Sequence, residues 1–228
     1  MVGVTDGILF SAPLSNGMED VPNRIEHTVL GPKTGWETVA ETLDEALLHG
    51  MRACVPPWAV ARASEYGPTV PLTTVIGFPH GQHTTRTKCA EATEAWNAGA
   101  DEIDVVCNLG ALDSDADEFE NELAEIVAAV PIPVSVIVEA PVLNDRQLRR
   151  ACEAVADADA DYITTATGFN GGGATVADVE LISQYLPVKA SGGIDSWAFA
   201  EDLLAAGAER IGTAQGTVLI EEFTNGDR

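Results

Sequence analysis

The segment Asn97-Ala98-Gly99-Ala100-Asp101-Glu102 joins the end of a helical pattern to the start of an apolar strand pattern. A glycine at the end of a helix supplies the left-handed conformation that stops it. The same kind of junction occurs at 48–52 and 206–210, and a version without glycine occurs at 157–161. A junction that recurs between helix and strand indicates a chain built from repeated βα units.

Around these junctions, short strand-like runs alternate with longer stretches of helical spacing. The strand-like runs begin near eight residues, which are Ile25, Met51, Val70, Glu102, Val134, Tyr162, Val188 and Arg210. Helical spacing covers 36–48, 57–65, 84–98, 117–129, 144–157, 175–185 and 196–206, with a short helix after Gln215. Eight βα units close most naturally into a (β/α)8 TIM barrel, an α/β fold. A doubly wound open sheet is the alternative, but no GxGxxG motif follows the first strand.

A single barrel domain over residues 1–228 is the simplest organisation, because the chain has no linker or low-complexity tract. Residues 1–20 are then predicted to be an N-terminal extension, and residues 217–228 a C-terminal tail. The chain has no run of about 18 apolar residues, which argues against a transmembrane helix. Its N-terminus lacks the basic start and cleavage site of a signal peptide, so we expect a cytoplasmic protein.

The net charge of the chain is −24, from 36 acidic and 12 basic residues. Such a chain repels nucleic acid and anionic membranes, so neither is expected as a partner. Acid excess with only three lysines resembles adaptation to high salt, where charges are screened within about 3 Å at molar ionic strength. A disordered acidic protein is the alternative, but the acids are dispersed between apolar segments. The composition therefore predicts a folded halophilic protein that unfolds at low salt.

Lys189 is the most unusual residue of the sequence, because it lies in the apolar strand run Pro187–Gly193. A lysine inside a buried strand needs a partner, a shifted pKa or a ligand. Asp104 lies within another apolar run, 101–108, and is the obvious partner. A plain buried ion pair is one interpretation of the two residues. The other is proton transfer on a carbonyl substrate, which uses the same arrangement.

The carboxyl ends of the strands form the active-site face of this fold. Three loops rich in glycine follow the last strands at 168–175, 191–193 and 212–216, and each exposes backbone N–H groups that suit a phosphate. The predicted phosphate-binding residues are Thr167, Gly168, Gly171, Gly172, Ser191, Gly192, Gly193, Gly212 and Thr213. That these glycines only make tight turns is the alternative.

Metal binding is not expected. His80 and His83 form an HxxH pattern, but it lies on no predicted helix and has no third ligand at a typical spacing. Glu139 ends a strand and is interpreted as a hydrogen-bonding partner of neighbouring strand ends. The four cysteines are far apart and are interpreted as reduced core residues, although Cys54 and Cys107 fall at strand ends that a ligand could reach.

Taken together, these motifs resemble the deoxyribose-phosphate aldolase family. The matching segments, in order, are 25–28, 74–79, 88–92, 99–104, 165–169, 173–175, 188–193 and 210–213. The resemblance implies a (β/α)8 class I aldolase without a metal or other cofactor, which joins acetaldehyde to glyceraldehyde 3-phosphate through a lysine Schiff base. It implies that Asp104 is the proton-shuttling aspartate and that Lys189 is the assisting lysine. The Schiff-base lysine belongs immediately before Thr165, where this chain has Thr164.

Thr164 leaves three functional hypotheses open, because threonine cannot form an imine. The first hypothesis is a lyase that acts on 2-deoxyribose 5-phosphate or a similar phosphorylated sugar or aldehyde, with Lys189 taking over imine formation. The second is a phosphosugar enolising, isomerising or retro-aldol enzyme in which Asp104 and Lys189 act as base and acid without an imine. The third is a non-catalytic homologue that binds a phosphometabolite. Assembly into a homo-oligomer stays open.

Overall fold

Eight parallel strands close into one barrel in sequence order, so that the first strand pairs with the last. The structure is a computed structural model that describes residues 21–226. The strands are β1 (Ile25–Thr28), β2 (Arg52–Val55), β3 (Leu72–Ile76), β4 (Glu102–Val106), β5 (Val134–Ile137), β6 (Tyr162–Thr164), β7 (Val188–Ser191) and β8 (Ala208–Thr213). The predicted TIM barrel is confirmed, and the strand starts differ from the predicted ones by at most two residues.

Helices connect the strands and cover the outside of the barrel. They are α1 (Val21–Arg24), α2 (Trp36–His49), α3 (Val60–Tyr66), α4 (Thr85–Asn97), α5 (Leu109–Ser114), α6 (Ala116–Ala128), α7 (Asp145–Asp157), α8 (Val176–Ile182), α9 (Trp197–Ala205) and α10 (Gly216–Gly226). Short 3-10 turns occupy Pro57–Ala59 and Ala140–Val142. Helix α5 was not predicted, because its six residues are too few to show helical spacing. None of the described helices is long and apolar enough to cross a bilayer.

The segment after Gln215 forms a longer helix than the sequence indicated. Helix α10 continues to Gly226, so most of the predicted tail 217–228 is helical. The helix packs on α9 through Trp197 and Phe223, whose ring centroids are 4.8 Å apart. The predicted extension 1–20 lies outside the described residues.

The recurring junctions have a structural reason at both ends. Gly99 has a φ of 100°, and a Cβ atom there would lie 2.9 Å from the side chain of Ser64, so the turn needs glycine. The aspartate that follows bonds to the neighbouring strand: Asp101 Oδ2 accepts the N–H of Leu72 at 2.8 Å. Asp161 Oδ2 accepts the N–H of Val134 at the same distance. Each of these aspartates therefore ties the start of its own strand to the strand before it.

The barrel interior carries charge at its centre. Side chains from β1, β4 and β7 meet there, although these strands are not neighbours in the sheet. The apolar core lies mainly between the strands and the helices, where residues such as Val105, Ile163 and Leu203 are fully buried. The fold therefore brings charged groups together beneath the carboxyl ends of the strands.

Candidate active site

A cavity of about 390 Å³ opens at the carboxyl ends of the strands. Its lining includes the predicted residues Asp104, Thr164, Thr167, Gly168, Ser191, Gly192, Gly193, Gly212 and Thr213. Gly171 and Gly172 lie outside the wall, because the loop turns away there and Gly172 packs against Pro141. Lys189 does not line the cavity either.

Lys189 is fully buried below the cavity and contacts three carboxylates. Its Nζ donates to Asp104 Oδ1 at 2.8 Å and to Glu26 Oε2 at 3.1 Å. It also forms an ion pair with Glu102 Oε1 at 2.9 Å, without the angle of a hydrogen bond. The predicted pairing of Asp104 with Lys189 is present, but Lys189 is shared among three acids. A substrate in the cavity meets Asp104 and Glu26 before it meets Lys189.

Two arginines complete this buried group. Glu102 Oε2 accepts from Arg52 Nη2 at 3.2 Å and also from Arg210 Nη1. Arg210 stacks on the ring of Tyr162, with 4.3 Å from Cζ to the ring centroid. The group therefore holds three cations and three anions, which lowers the cost of burying any one of them.

The ionisation of the group follows from its charges. Burial lowers the pKa of Lys189, but Asp104, Glu26 and Glu102 outweigh it and hold that pKa well above its usual value. Burial raises the pKa of Asp104 to about 7, and Glu26 and Glu102 add to the rise while Lys189 opposes it. Burial also acts to raise the pKa of Glu102, but Lys189 and Arg210 overcome it and hold the pKa at about 2. Lys189 is therefore an ammonium, and Asp104 exchanges its proton near neutral pH.

Thr164 ends β6 and lines the cavity, where its hydroxyl is 2.6 Å from Ser135 Oγ. No other lysine replaces the amine that the family places here. Lys33 is exposed in the loop after β1. Lys88 is fully buried, and its Nζ donates to Glu122 Oε1 and to the carbonyl of Val106, each at 2.8 Å. All three lysines of the chain lie within the described residues, and none lines the cavity.

The loops after β6, β7 and β8 form one side of the cavity and hold each other by hydrogen bonds. Thr165 Oγ1 donates to the carbonyl of Ser191 at 2.8 Å and accepts its N–H at 2.9 Å. Thr213 Oγ1 accepts the N–H of Gln215 at 2.9 Å, just before α10 begins. No arginine or lysine of the described chain lines this side. An anion there would depend on backbone N–H groups.

Two further sequence interpretations concern possible metal ligands. His80 and His83 belong to no group of three close potential ligands within residues 21–226. The group found there is Glu26, Cys54 and Asp104, and the ammonium of Lys189 already contacts both of its carboxylates. Cys54 lines the cavity, and burial raises the pKa of its thiol well above the usual value.

Sequence reasoning missed Glu26 and the depth of Glu102. Both are acids beside or within apolar strand runs, which is the same signal that identified Asp104. Glu26 Oε2 accepts from Thr73 Oγ1 at 2.7 Å, and Glu26 lines the cavity. Glu139 is a hydrogen-bonding partner of a neighbouring loop, as interpreted, because its Oε1 accepts the N–H of Thr167.

Comparison with known proteins agrees with this geometry. The model of the DeoC/LacD family aldolases matches residues 39–219. A deoxyribose-phosphate aldolase of Haloarcula marismortui is 58% identical over 207 residues, covering 90% of this chain and 89% of the relative. Among solved structures, an aldolase named QR15 is 38% identical with a TM-score of 0.88, covering 91% of this chain and 97% of that one.

A deoxyribose-phosphate aldolase from Aeropyrum pernix, described as having a unique tetrameric structure, is 32% identical with a TM-score of 0.85. The match covers 91% of this chain and 92% of the Aeropyrum pernix chain. The halophilic character expected from composition agrees with relatives from haloarchaea. This chain belongs to the DeoC/LacD family of aldolases, a family of lyases.

Proposed function

We propose that this chain is a carbon–carbon lyase that cleaves 2-deoxyribose 5-phosphate into glyceraldehyde 3-phosphate and acetaldehyde, with Asp104 and Lys189 carrying the charge and proton transfers. The observation that carries the proposal is the position of Asp104. Its carboxyl lines the cavity, lies 2.8 Å from Lys189 Nζ and exchanges its proton near neutral pH. A general base is most effective when its pKa is close to the working pH.

The proton transfers balance without a covalent intermediate. The Asp104 carboxylate accepts the proton of the substrate hydroxyl at C3, and the C2–C3 bond then breaks. The electron pair of that bond is left as the enolate of acetaldehyde, and the protonated Asp104 returns its proton to C2. Lys189 stays an ammonium throughout, so its positive charge stabilises the negative charge that moves between Asp104 and the enolate.

The substrate phosphate is proposed to lie against the loops after β7 and β8. Ser191, Gly192, Gly193, Gly212 and Thr213 line the cavity there, and α10 begins beside it. Backbone N–H groups and the start of a helix suit a dianion. Gly171 and Gly172 are left out of this proposal, because they do not reach the cavity.

An imine on Lys189 is the second candidate mechanism. The resemblance implies imine chemistry for the family, but at position 164 and with Lys189 as the assisting lysine. An imine on Lys189 requires this residue to leave three carboxylates and to lose a proton that they hold. Thr164 removes the neighbouring amine whose repulsion would assist that loss. Both observations favour the mechanism without an imine.

One set of measurements at high salt separates these possibilities. The chain is incubated with 2-deoxyribose 5-phosphate, and acetaldehyde release, exchange of the C2 protons with deuterated water and borohydride trapping are followed in parallel. Acetaldehyde release without a trapped adduct is the expected result. An adduct on Lys189 would establish the imine mechanism instead.

Two other outcomes would overturn the lyase proposal. Exchange at C2 without acetaldehyde would indicate an enolising or isomerising enzyme. Thermal stabilisation by the sugar phosphate with neither exchange nor product would indicate a binding protein. Asp104→Asn should lower the rate of product formation by about a hundredfold or more, whereas Asp117→Asn, a matched change on the exposed first turn of α6, should leave it unchanged.

A further inference from the structure

A second cavity of about 310 Å³ lies beside the first at the carboxyl ends of β4 and β5. It is lined by His80, Gln82, Val106, Cys107, Leu109, Glu139, Val142 and Asn170. This volume is at the small end of the range for ligand pockets. Neither Asp104 nor any other residue of the proposed lyase reaction lines it.

A buried carboxylate faces this side cavity without a cation. Glu139 is 3% exposed, and its Oε1 accepts the N–H of Thr167. Within residues 21–226, its Oε2 has no hydrogen bond and no Lys, Arg or His nitrogen lies within 4.0 Å of it. This oxygen is not among the buried unpaired polar atoms of the described residues, so it is open to the cavity, where an incoming cation can pair with it.

The nearby ammonium of Lys88 is already bonded to another acid. Lys88 and Glu139 both act on the buried thiol of Cys107, whose pKa burial raises to about 12. The ammonium of Lys88, however, is bonded to Glu122 Oε1 and to the carbonyl of Val106. Cys107 stays a neutral thiol and contributes an apolar surface. The side cavity is therefore lined by one carboxylate that has no ion-pair partner among residues 21–226, and by no lysine or arginine of that range.

The backbone at Glu139 is held in an uncommon conformation. Its φ is 49° and its ψ is 52°, the left-handed region that costs a residue with a side chain free energy. This conformation starts the turn Ala140–Val142, and the side chain lines the side cavity while it holds Thr167. Val142 is half exposed at the rim, and Val106, Cys107 and Leu109 supply an apolar wall.

We propose that the side cavity binds a small organic ammonium ion, with the charged nitrogen on Glu139 Oε2 and a short hydrocarbon body against Val106, Cys107 and Leu109. A cation pairs with the carboxylate, and an apolar body packs against the apolar wall. A hydroxyl compound of the same size supplies the body but not the charge. A metal ion lacks the further close ligands that it needs, because Glu139 belongs to no group of three potential ligands in the described chain.

The bound ion would be linked to the main cavity through one wall. Asn170 Nδ2 donates to the carbonyl of Pro79 at 2.9 Å, and the rings of Phe78 and Phe169 meet edge to face at 5.0 Å. Phe78, Thr167 and Phe169 line the main cavity, whereas Asn170 and Glu139 line the side cavity. Glu139 thus bonds to the main-cavity loop through Oε1 and faces the ligand with Oε2.

The test is a titration with n-butylammonium chloride, followed by amide NMR shifts at constant high salt. We expect saturable shifts at Leu109 and Thr167. We also expect 1-butanol, which has the same carbon chain without the charge, to bind at least tenfold more weakly. Equal binding of the two probes, or no saturable shift with butylammonium, would overturn the proposal. Because the measurement is of binding, it does not depend on whether the chain is a lyase.

Two variants locate the site. Glu139→Gln removes the charge but keeps an oxygen that can accept from Thr167, so it should weaken butylammonium binding at least tenfold. Val142→Trp fills the rim without changing the charge and should also abolish the shifts. Val176→Trp, a matched exposed change on α8, should leave them as in the parent. Parent-like binding in both Glu139→Gln and Val142→Trp would place the ion elsewhere and overturn the proposal.

Discussion

The hydroxyl of Thr164 lies 2.6 Å from that of Ser135, at the place where the family resemblance puts the Schiff-base lysine. The two hydroxyls satisfy each other, and both residues are buried. The hydrogen-bonded pair therefore fills the position that an amine would occupy. A lysine introduced there would have to displace this hydrogen bond, yet it would line the cavity and lie on the strand next to Lys189.

We expect Thr164→Lys to restore imine chemistry. The new amine borders the cavity, and repulsion from the Lys189 ammonium lowers its pKa, so part of it is neutral and nucleophilic. Borohydride with 2-deoxyribose 5-phosphate should trap an adduct on residue 164, and acetaldehyde release should rise at least tenfold. Thr38→Lys, an exposed change on α2, serves as the control. The larger side chain should cost about 1–3 kcal/mol of stability, measured by unfolding.

The pH dependence of the reaction should follow Asp104. Burial raises the pKa of this carboxyl to about 7, so the carboxylate that acts as base is present mainly above that pH. We expect kcat/KM to rise about tenfold per pH unit below 7 and to level off above it. Asp104→Asn should lower kcat/KM by about 10²–10⁴, the usual contribution of a general base. A profile that is flat from pH 5 to 9 would show that another group supplies the base.

Lys189→Met should destabilise the barrel strongly. The change leaves Glu26, Glu102 and Asp104 close together without the ammonium that joins them. Removing one partner of a buried ion pair costs about 3–5 kcal/mol. Chemical unfolding at high salt measures the loss, and Lys33→Met at an exposed position should change stability by less than about 0.5 kcal/mol. Equal effects of the two changes would contradict the buried network.

Glu102→Gln should be most harmful near neutral pH and less so in acid. Lys189 and Arg210 hold the pKa of Glu102 at about 2, below its unfolded value of about 4.5. The stability it contributes is therefore present above pH 4.5 and is lost as the pH falls toward 2. The shift corresponds to about 3 kcal/mol. The difference in free energy of unfolding between parent and variant should be about 2 kcal/mol smaller at pH 3 than at pH 7. An equal difference at the two pH values would contradict this prediction.

The melting temperature should depend on salt. With a charge of −24, repulsion among exposed acids destabilises the folded chain unless it is screened. We expect Tm to fall by about 10 °C or more between 3 M and 0.1 M KCl, or about 3 kcal/mol for a domain of this size. Circular dichroism in the two solutions measures the change. Equal values would show that the acid excess has no role in salt adaptation.

The sequence predicted the barrel because its junctions recur and each has a local cause, such as the left-handed Gly99. It also predicted the contact of Asp104 with Lys189, because both charges interrupt apolar strands. It did not predict that Glu26 reaches Lys189, since these residues are 163 positions apart and meet only when β1 closes on β8. The same closure sets the depth of Lys189 below the cavity.

The loop after β6 shows a second feature that the sequence could not predict. Its glycines are alike in sequence, but Gly168 borders the cavity and Gly172 packs on Pro141. Which glycine faces a ligand depends on how the loop crosses the turn Ala140–Val142. Likewise, the link from Glu139 to Thr167 depends on a left-handed backbone that no residue type signals at this position.

The balance of three cations and three anions inside the barrel has a consequence for engineering. Since the formal charges of these six groups sum to zero, the formal net charge of −24 is carried by residues outside this group. The halophilic exterior and the reacting interior are thus separable parts of one chain. Acids on the outer helices could be exchanged for neutral residues to obtain a variant that folds at low salt. Such a variant would keep the buried charges that set the protonation of Asp104.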